Sequence, residues 1–259
     1  MTRKESTNSL FGILATRPSA AVAVLAVLAV VISPALAAVM ITPNAYGPFD
    51  PSTTDDEVYY AADVSNNDLL QQPGVIATHG PYMLIDGFGM RPEGLNDGNA
   101  GGDFDLVSYS ALDGTAWLWK DGLSWSEFAL GEGTGQGYDI TEIQSIAAWQ
   151  GAGFSNQKYN VLVKYLGESD FTQLATVDYQ PFSEAQTEGG STKVNVTDTT
   201  GVLASGVVAI KFAFLETTGN TWGAGSVIRE VDVFGTPTPE PTTMALLGLA
   251  SLVVLRRRR

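Results

Sequence analysis

Between residues 58 and 235 the apolar residues fall in short runs rich in Val, Ile, Tyr, Phe and Trp, separated by Gly, Asn and Asp. The runs lie near 82–88, 105–110, 115–120, 124–130, 138–149, 157–166, 171–180, 191–198, 206–216 and 226–234. Runs of this length between turn-forming residues predict β-strands, and no stretch carries the three-to-four-residue period of a long amphipathic helix. Polar residues interrupt some runs, as Asn160 and Lys164 do in 159–166. Others, such as 207–214, are almost continuously apolar, as expected of an inner strand partly covered on both faces. The pattern predicts an all-β chain built as an antiparallel β-sandwich, with no internal repeat.

Two further apolar runs, one at each end, have a different character. Arg3, Lys4 and Arg17 precede or flank the apolar stretch 20–32, and Ser33-Pro34-Ala35-Leu36-Ala37 then supplies a helix breaker and small residues at Ala35 and Ala37. This arrangement predicts a secretory signal peptide over 1–37, cut after Ala37; an uncleaved N-terminal anchor is the alternative. At the other end, Pro239-Glu240-Pro241 leads into the apolar stretch 242–255 and then Arg256, Arg257, Arg258 and Arg259. The prolines disfavour helix and sheet pairing, the apolar stretch suits lipid, and the arginines suit a cytoplasmic face. As a helix, 242–255 would span roughly 21 Å against about 30 Å of hydrocarbon, which favours brief residence over lasting anchorage. In order and position this tail resembles the PEP-CTERM sorting signal of Gram-negative bacteria that make extracellular polysaccharide. The resemblance implies recognition in the inner membrane by an exosortase, a cut near Pro-Glu-Pro, and release or attachment at the cell surface. An ordinary tail anchor is the competing reading.

The organisation read from the chain is therefore a signal peptide at 1–37, a linker at 38–57 rich in Pro, Thr and Asp, a β-sandwich at 58–235, and a sorting signal at 236–259 containing a transmembrane helix at 242–255. Removing 1–37 takes three basic residues and one acid, and the terminal block takes four arginines; 7 basic and 27 acidic residues remain, a net charge of −20. That charge disfavours nucleic acid and anionic headgroups and makes neutral glycans or cation-bridged contacts the easier partners; solubility alone also accounts for it. The 259-residue chain has no Cys, although an exported protein is permitted disulfides, so stability rests on a core, with or without a bound metal.

Within the sandwich, Ile140-Thr141-Glu142-Ile143-Gln144-Ser145-Ile146, Tyr159-Asn160-Val161-Leu162-Val163-Lys164-Tyr165, Phe171-Thr172-Gln173-Leu174, the run 207–214 and Ile228-Arg229-Glu230-Val231-Asp232-Val233-Phe234-Gly235 follow in order. This succession resembles the discoidin or galactose-binding-like (F5/8 type C-like) family over about 95–235. The resemblance implies a jelly-roll topology. The paired cysteines of many such domains are missing, as is a clear set of ligand-contacting loop residues.

Candidate chemistry is sparse. The single His79 sits in Thr78-His79-Gly80-Pro81, which reads as a turn. Without Cys, a second His or a G-x-S-x-G elbow, there is no material for nucleophilic triads or His-based zinc sites. The segment Asn96-Asp97-Gly98-Asn99-Ala100-Gly101-Gly102-Asp103-Phe104-Asp105 concentrates oxygen ligands among glycines. Asn96, Asp97, Asn99, Asp103 and Asp105 are candidate ligands for a structural calcium, outside the EF-hand pattern because position 108 is Ser108. The resembled jelly rolls often hold calcium near this part of the fold; an acidic turn without metal is the alternative. Trp117 and Trp119 share a strand face and read either as core or as a sugar-stacking platform, while Trp125, Trp149 and Trp222 are the candidate ligand-binding aromatics.

Three function classes fit, in this order. The first is an exported, non-catalytic surface or matrix protein that binds extracellular polysaccharide. The second is a structural surface protein acting through protein contacts, and the third a secreted glycan-active enzyme using paired carboxylates. The partners expected are the secretion machinery, an exosortase and, transiently, the inner membrane; nucleic acid is not among them.

Overall fold

The computed structural model describes residues 38–47, 59–81, 92–100, 116–117, 124–149, 152–183, 190–218 and 225–240, all within the compact unit that begins at Ala37. The ten strands among the described residues are β1 (Val39–Tyr46), β2 (Ile76–His79), β3 (Ala116–Trp117), β4 (Trp125–Ala129), β5 (Tyr138–Trp149), β6 (Gln157–Tyr165), β7 (Thr172–Tyr179), β8 (Gly190–Asp198), β9 (Ala204–Phe214) and β10 (Val227–Pro237). The helical pieces among the described residues are single 3-10 turns, such as Leu69–Gln71 and Pro92–Leu95. Among the described residues no helix is long and apolar enough to cross a membrane, and the expected apolar helix at 242–255 lies outside them.

Among the described residues all strand pairings are antiparallel. One layer runs β1-β8-β5-β10-β3 and the other β7-β6-β9-β4-β2, and the start of β5 joins them by pairing Tyr138 with Val207 and Ile140 with Ala204. The chain is thus an antiparallel jelly-roll β-sandwich. Its core follows from the two-residue period of a strand. Ile143 and Ala147 on β5, Val194 and Val196 on β8, and Val231 and Val233 on β10 face Tyr159, Val161 and Val163 on β6 and Ile210, Phe212 and Phe214 on β9. The rings of Phe128, Phe212, Tyr159 and Phe214 meet mostly edge to face, with centroids 5.9–6.1 Å apart in three such pairs.

A polar knot crosses this core near the end of β5. Ser145 Oγ donates to Gln157 Oε1 at 2.6 Å and shares a 2.7 Å hydrogen bond with the Tyr159 hydroxyl, and Gln157 Nε2 donates to Thr192 Oγ1 at 2.9 Å. All four residues are buried, and each finds its partner on a neighbouring strand or across the sandwich.

Eight of the expected strand runs coincide with strands. The runs at 82–88 and 105–110 lie outside the described residues. Two strands were not expected. β1 occupies part of the segment read as a linker, yet all eight of its residues pair with β8. It is an edge strand exposed along its whole length, so it shows no apolar-polar alternation, and Pro43 is tolerated because an edge strand has an unpaired side. β2 is a four-residue exposed edge strand, which places His79 on a strand end and not in a turn. β10 runs two residues beyond the expected domain boundary, to Pro237.

A second apolar cluster covers the outer face of the first layer, where Tyr60, Ala100, Ile146, Ala148, Trp149, Phe154 and Val227 pack together. A bulge in β10 between Ile228 and Glu230 permits this. It leaves Val231 and Val233 in the main core while Glu230 and Asp232 share the outer face beneath the 65–71 turn and the 96–100 loop.

Candidate functional site

The outer face of β10 carries a buried acidic group. Asp68, Glu230 and Asp232 are 3 %, 0 % and 0 % exposed. Each is held by one carboxylate oxygen. Asp68 Oδ1 accepts from Leu70 N at 2.7 Å and Val233 N at 3.2 Å, capping the Leu69–Gln71 turn and fastening it to β10. Asp232 Oδ2 accepts from Gln144 Nε2 at 2.8 Å and Ser65 N at 3.2 Å. Glu230 Oε1 accepts from Gly98 N at 3.2 Å and Gln71 Nε2 at 3.3 Å. The second oxygen of each, Asp68 Oδ2, Asp232 Oδ1 and Glu230 Oε2, is buried with no hydrogen-bond partner.

Burial sets the electrostatics here. Desolvation pushes the Glu230 carboxyl up to about 10, with the negative charge of Asp232 adding to it. Desolvation likewise pushes Asp232 up to about 7, with the negative charge of Asp68 adding to it, and raises Asp68. None of the ion pairs Lys158–Asp178, Lys193–Asp63 and Lys211–Glu127 involves these three carboxyls. Such groups need shared protons or a cation.

The loop expected to bind calcium sits directly on this group. Asn96 Nδ2 donates to Leu70 O at 3.3 Å, and exposed Asp97 accepts from Asn99 N at 3.0 Å, closing an Asx turn. Gly98 adopts φ +76°, and a Cβ there would stand 2.9 Å from Asn66 Cβ, so a side chain would be strained and crowded. Asp103 and Asp105 lie outside the described residues. Among the described residues no three Asp, Glu, His or Cys side chains form a metal-holding group. The orphaned Glu230 oxygen is of the chemical type that a hard cation takes as a ligand.

Arg229 lies in the bulge beside this group and is fully buried. Its Nε donates to Ala148 O at 2.9 Å and its Nη1 to Ala100 O at 3.4 Å, with the guanidinium 5.7 Å from the Trp149 ring; burial lowers it to about 9. It ties the end of the 96–100 loop to β5. Neither Arg229 nor the three carboxyls was singled out from sequence as a site. The available signal was Arg-Glu-Val-Asp inside a closing strand otherwise made of Val, Ile and Phe.

Two of the aromatic candidates, Trp125 and Trp149, lie at one end of the sandwich. Trp125 opens β4, Trp149 closes β5, and Trp222 lies in the connection from β9 to β10, outside the described residues. Trp149 is only 5 % exposed and belongs to the outer apolar cluster, so it fills space there and is no platform for a ligand. Trp125 is half-buried, lies against Gly80 and has Lys211 Nζ 4.0 Å from its ring centroid. Of Trp117 only the backbone is described, and Trp119 lies outside the described residues. The same end carries an aromatic pair not expected from sequence. Tyr46 and Tyr59 stack at 3.7 Å and 6°, with 41 % and 54 % of their surfaces exposed. His79, also at this end, shares a 2.8 Å hydrogen bond with Ser126 Oγ through Nδ1, and burial lowers its pKa.

The tail leaves from the opposite end, where Pro237 pairs with Tyr138. Pro239 and Glu240 are exposed; Pro241 and Arg256 to Arg259 lie outside the described residues, as do Ala35 and Ala37.

Comparison with known proteins bears on both parts. No curated protein matches the chain. Among solved structures it is similar to CpGH89CBM32-5 of Clostridium perfringens in complex with GalNAc-beta-1,3-galactose, at 16 % identity and TM-score 0.37, over 62 % of this chain and 94 % of that one. It is similar to a Streptococcus pneumoniae fucose binding module at 18 % and 0.38, over 65 % and 95 %. A third is an F5/8 type C domain of Bacteroides fragilis, at 11 % and 0.40, over 63 % and 92 %. Residues 237–259 match the PEP-CTERM protein-sorting motif, and the closing strand of the jelly-roll β-sandwich runs straight into that motif.

Proposed function

We propose that this is an exported protein of the Gram-negative cell surface or extracellular matrix whose sandwich binds extracellular glycan without cutting it, and whose tail is processed by an exosortase in the inner membrane. The observation that carries the reading is the polarity of the sandwich. The sorting motif leaves one end, while the exposed Tyr46–Tyr59 stack and Trp125 belong to the other. Aromatic faces and edges at the end farthest from the membrane suit stacking on the C–H faces of sugar rings. Calcium on Glu230 and the 96–105 segment would act structurally: its charge would replace the protons that the buried carboxyls otherwise hold.

The test is affinity electrophoresis of residues 38–241 through gels containing single polysaccharides, with and without calcium, alongside binding of GalNAc-beta-1,3-galactose and fucose. Retardation on at least one glycan, lost on Tyr59→Ala or Trp222→Ala, supports the proposal. Unaltered migration in every gel would favour a structural surface protein acting through protein contacts. Sugar release during long incubation would instead identify a glycan-active enzyme.

A further inference from the structure

The sorting motif is partly inside the fold. Thr238, its second residue, is gripped by two turns at the tail end of the sandwich. Its N–H donates to Gly137 O at 2.9 Å, and its carbonyl accepts from Thr134 Oγ1 at 3.1 Å. Its hydroxyl donates to Asp139 Oδ1 at 2.7 Å and accepts from Gly206 N at 3.3 Å. Ser205 Oγ donates to the same Asp139 oxygen, fixing that acceptor from the β9 side. The two turns are themselves pressed together, since a Cβ on Gly137 would lie 2.7 Å from the Gly206 carbonyl carbon. Thr238 therefore closes the junction between β5, β9 and β10.

A processing enzyme needs an extended segment with free backbone groups, because strand-like substrates are held largely by main-chain hydrogen bonds. This segment has few to offer. Pro237, Pro239 and Pro241 have no N–H, so the nearest donors are Thr236, Thr238 and Glu240; Thr236 lies in β10, paired with Asp139, and the Thr238 N–H is used by Gly137. From Thr238 to the start of the apolar stretch there are only residues 239–241, about 10 Å when fully extended. A cleft that grips several residues on each side of a bond near Pro-Glu-Pro meets the folded sandwich first.

Resting on the reading that this tail is a processed sorting signal, we infer that the Thr238 clamp is an autoinhibitory contact: the folded sandwich shelters the recognition segment, and processing proceeds through the fraction of molecules in which the end of β10 has come away. The clamp makes the rate of tail removal depend on local opening at the junction of Gly137, Asp139 and Gly206.

The test uses the full chain in cells that process it, with pulse-chase immunoblotting of precursor and processed forms. Two variants release the segment by different routes. Thr238→Val removes both hydroxyl bonds, and six Gly/Ser residues inserted between Thr238 and Pro239 free the Pro-Glu-Pro while leaving the clamp intact. Thr238→Val is expected to process about fivefold faster or more, the population change given by losing at least one hydrogen bond of typical net strength, and the insertion variant at least as fast, because its Pro-Glu-Pro is free without any opening of the clamp. Thermal melts of the corresponding soluble domains check that the sandwich remains folded. Unchanged rates in both variants would overturn the inference. So would slower processing of the insertion variant, which would make the folded end a docking surface for the enzyme. Replacing Pro239, Glu240 and Pro241 by Ala separates the two levels: normal processing of that variant sinks the sorting reading itself, whereas its arrest alongside unchanged Thr238 variants sinks the clamp alone.

Discussion

Gly98 donates its backbone N–H to Glu230 Oε1 at 3.2 Å, joining an early loop to the closing strand 132 positions later. The bond exists because Gly98 adopts φ +76° with no room for a Cβ beside Asn66. Gly98→Ala is expected to lower stability by about 1–3 kcal/mol, through backbone strain and partial loss of the bond to a buried carboxyl. Urea unfolding of residues 38–241 measures it; a midpoint equal to wild type would mean that the loop moves freely on β10.

The calcium proposed at Glu230 makes a second prediction. A cation that binds only the folded state raises its stability by about 2.7 kcal/mol at a hundredfold excess over Kd, a shift of several degrees for a domain of this size. The melting midpoint in millimolar calcium is expected to exceed that in EDTA, and Glu230→Gln or the Asp103→Asn, Asp105→Asn pair is expected to abolish the difference. Equal midpoints in the wild-type protein would leave 96–105 as an acidic turn.

The acidic group also fixes the sign of a pH effect in EDTA. Glu230 at about 10 and Asp232 at about 7 lie above ordinary carboxyls, so the folded protein keeps protons that the unfolded chain releases above roughly pH 4. Stability is therefore expected to fall as pH rises from about 4 through 7 for Asp232 and on towards 10 for Glu230, with a limiting slope of about 1.4 kcal/mol per pH unit per group. Melts at pH 5 and 8 read it, and Glu230→Gln is expected to flatten the alkaline part. A metal-free protein more stable at pH 8 than at pH 5 would contradict the buried, unpaired state of these groups.

The aromatic candidates divide by their surroundings. Trp149→Ala is expected to cost about 3–5 kcal/mol, because the ring is buried with Phe154 and Val227 and lies close to Arg229. Tyr59→Ala, at an exposed ring, is expected to leave the urea midpoint within experimental error while weakening glycan retardation. The reverse pattern would move the binding surface away from the Tyr46–Tyr59 end.

What could be read from the chain followed how locally each feature is encoded. Strands such as Tyr138–Trp149 and Gln157–Tyr165 were legible because their side chains alternate between core and exterior or are apolar throughout. β1 and β2 were not, because an edge strand exposed along its length carries no such pattern. The candidate calcium loop was legible as a cluster of Asn, Asp and Gly, but its buried partner Glu230 was not.

By itself, the sequence determined that this is an all-β sandwich with a tail bearing Pro-Glu-Pro, an apolar stretch and arginines, since strand period and chain order are local properties. Tertiary structure decided that Asp68, Glu230 and Asp232 meet under one turn, that Trp149 is core while Tyr46 and Tyr59 are exposed, and that Thr238 belongs to the fold. Each of these depends on strand register, and the meeting of the carboxyls also on the β-bulge between Ile228 and Glu230; pairing across such distances is written in no local stretch of the chain.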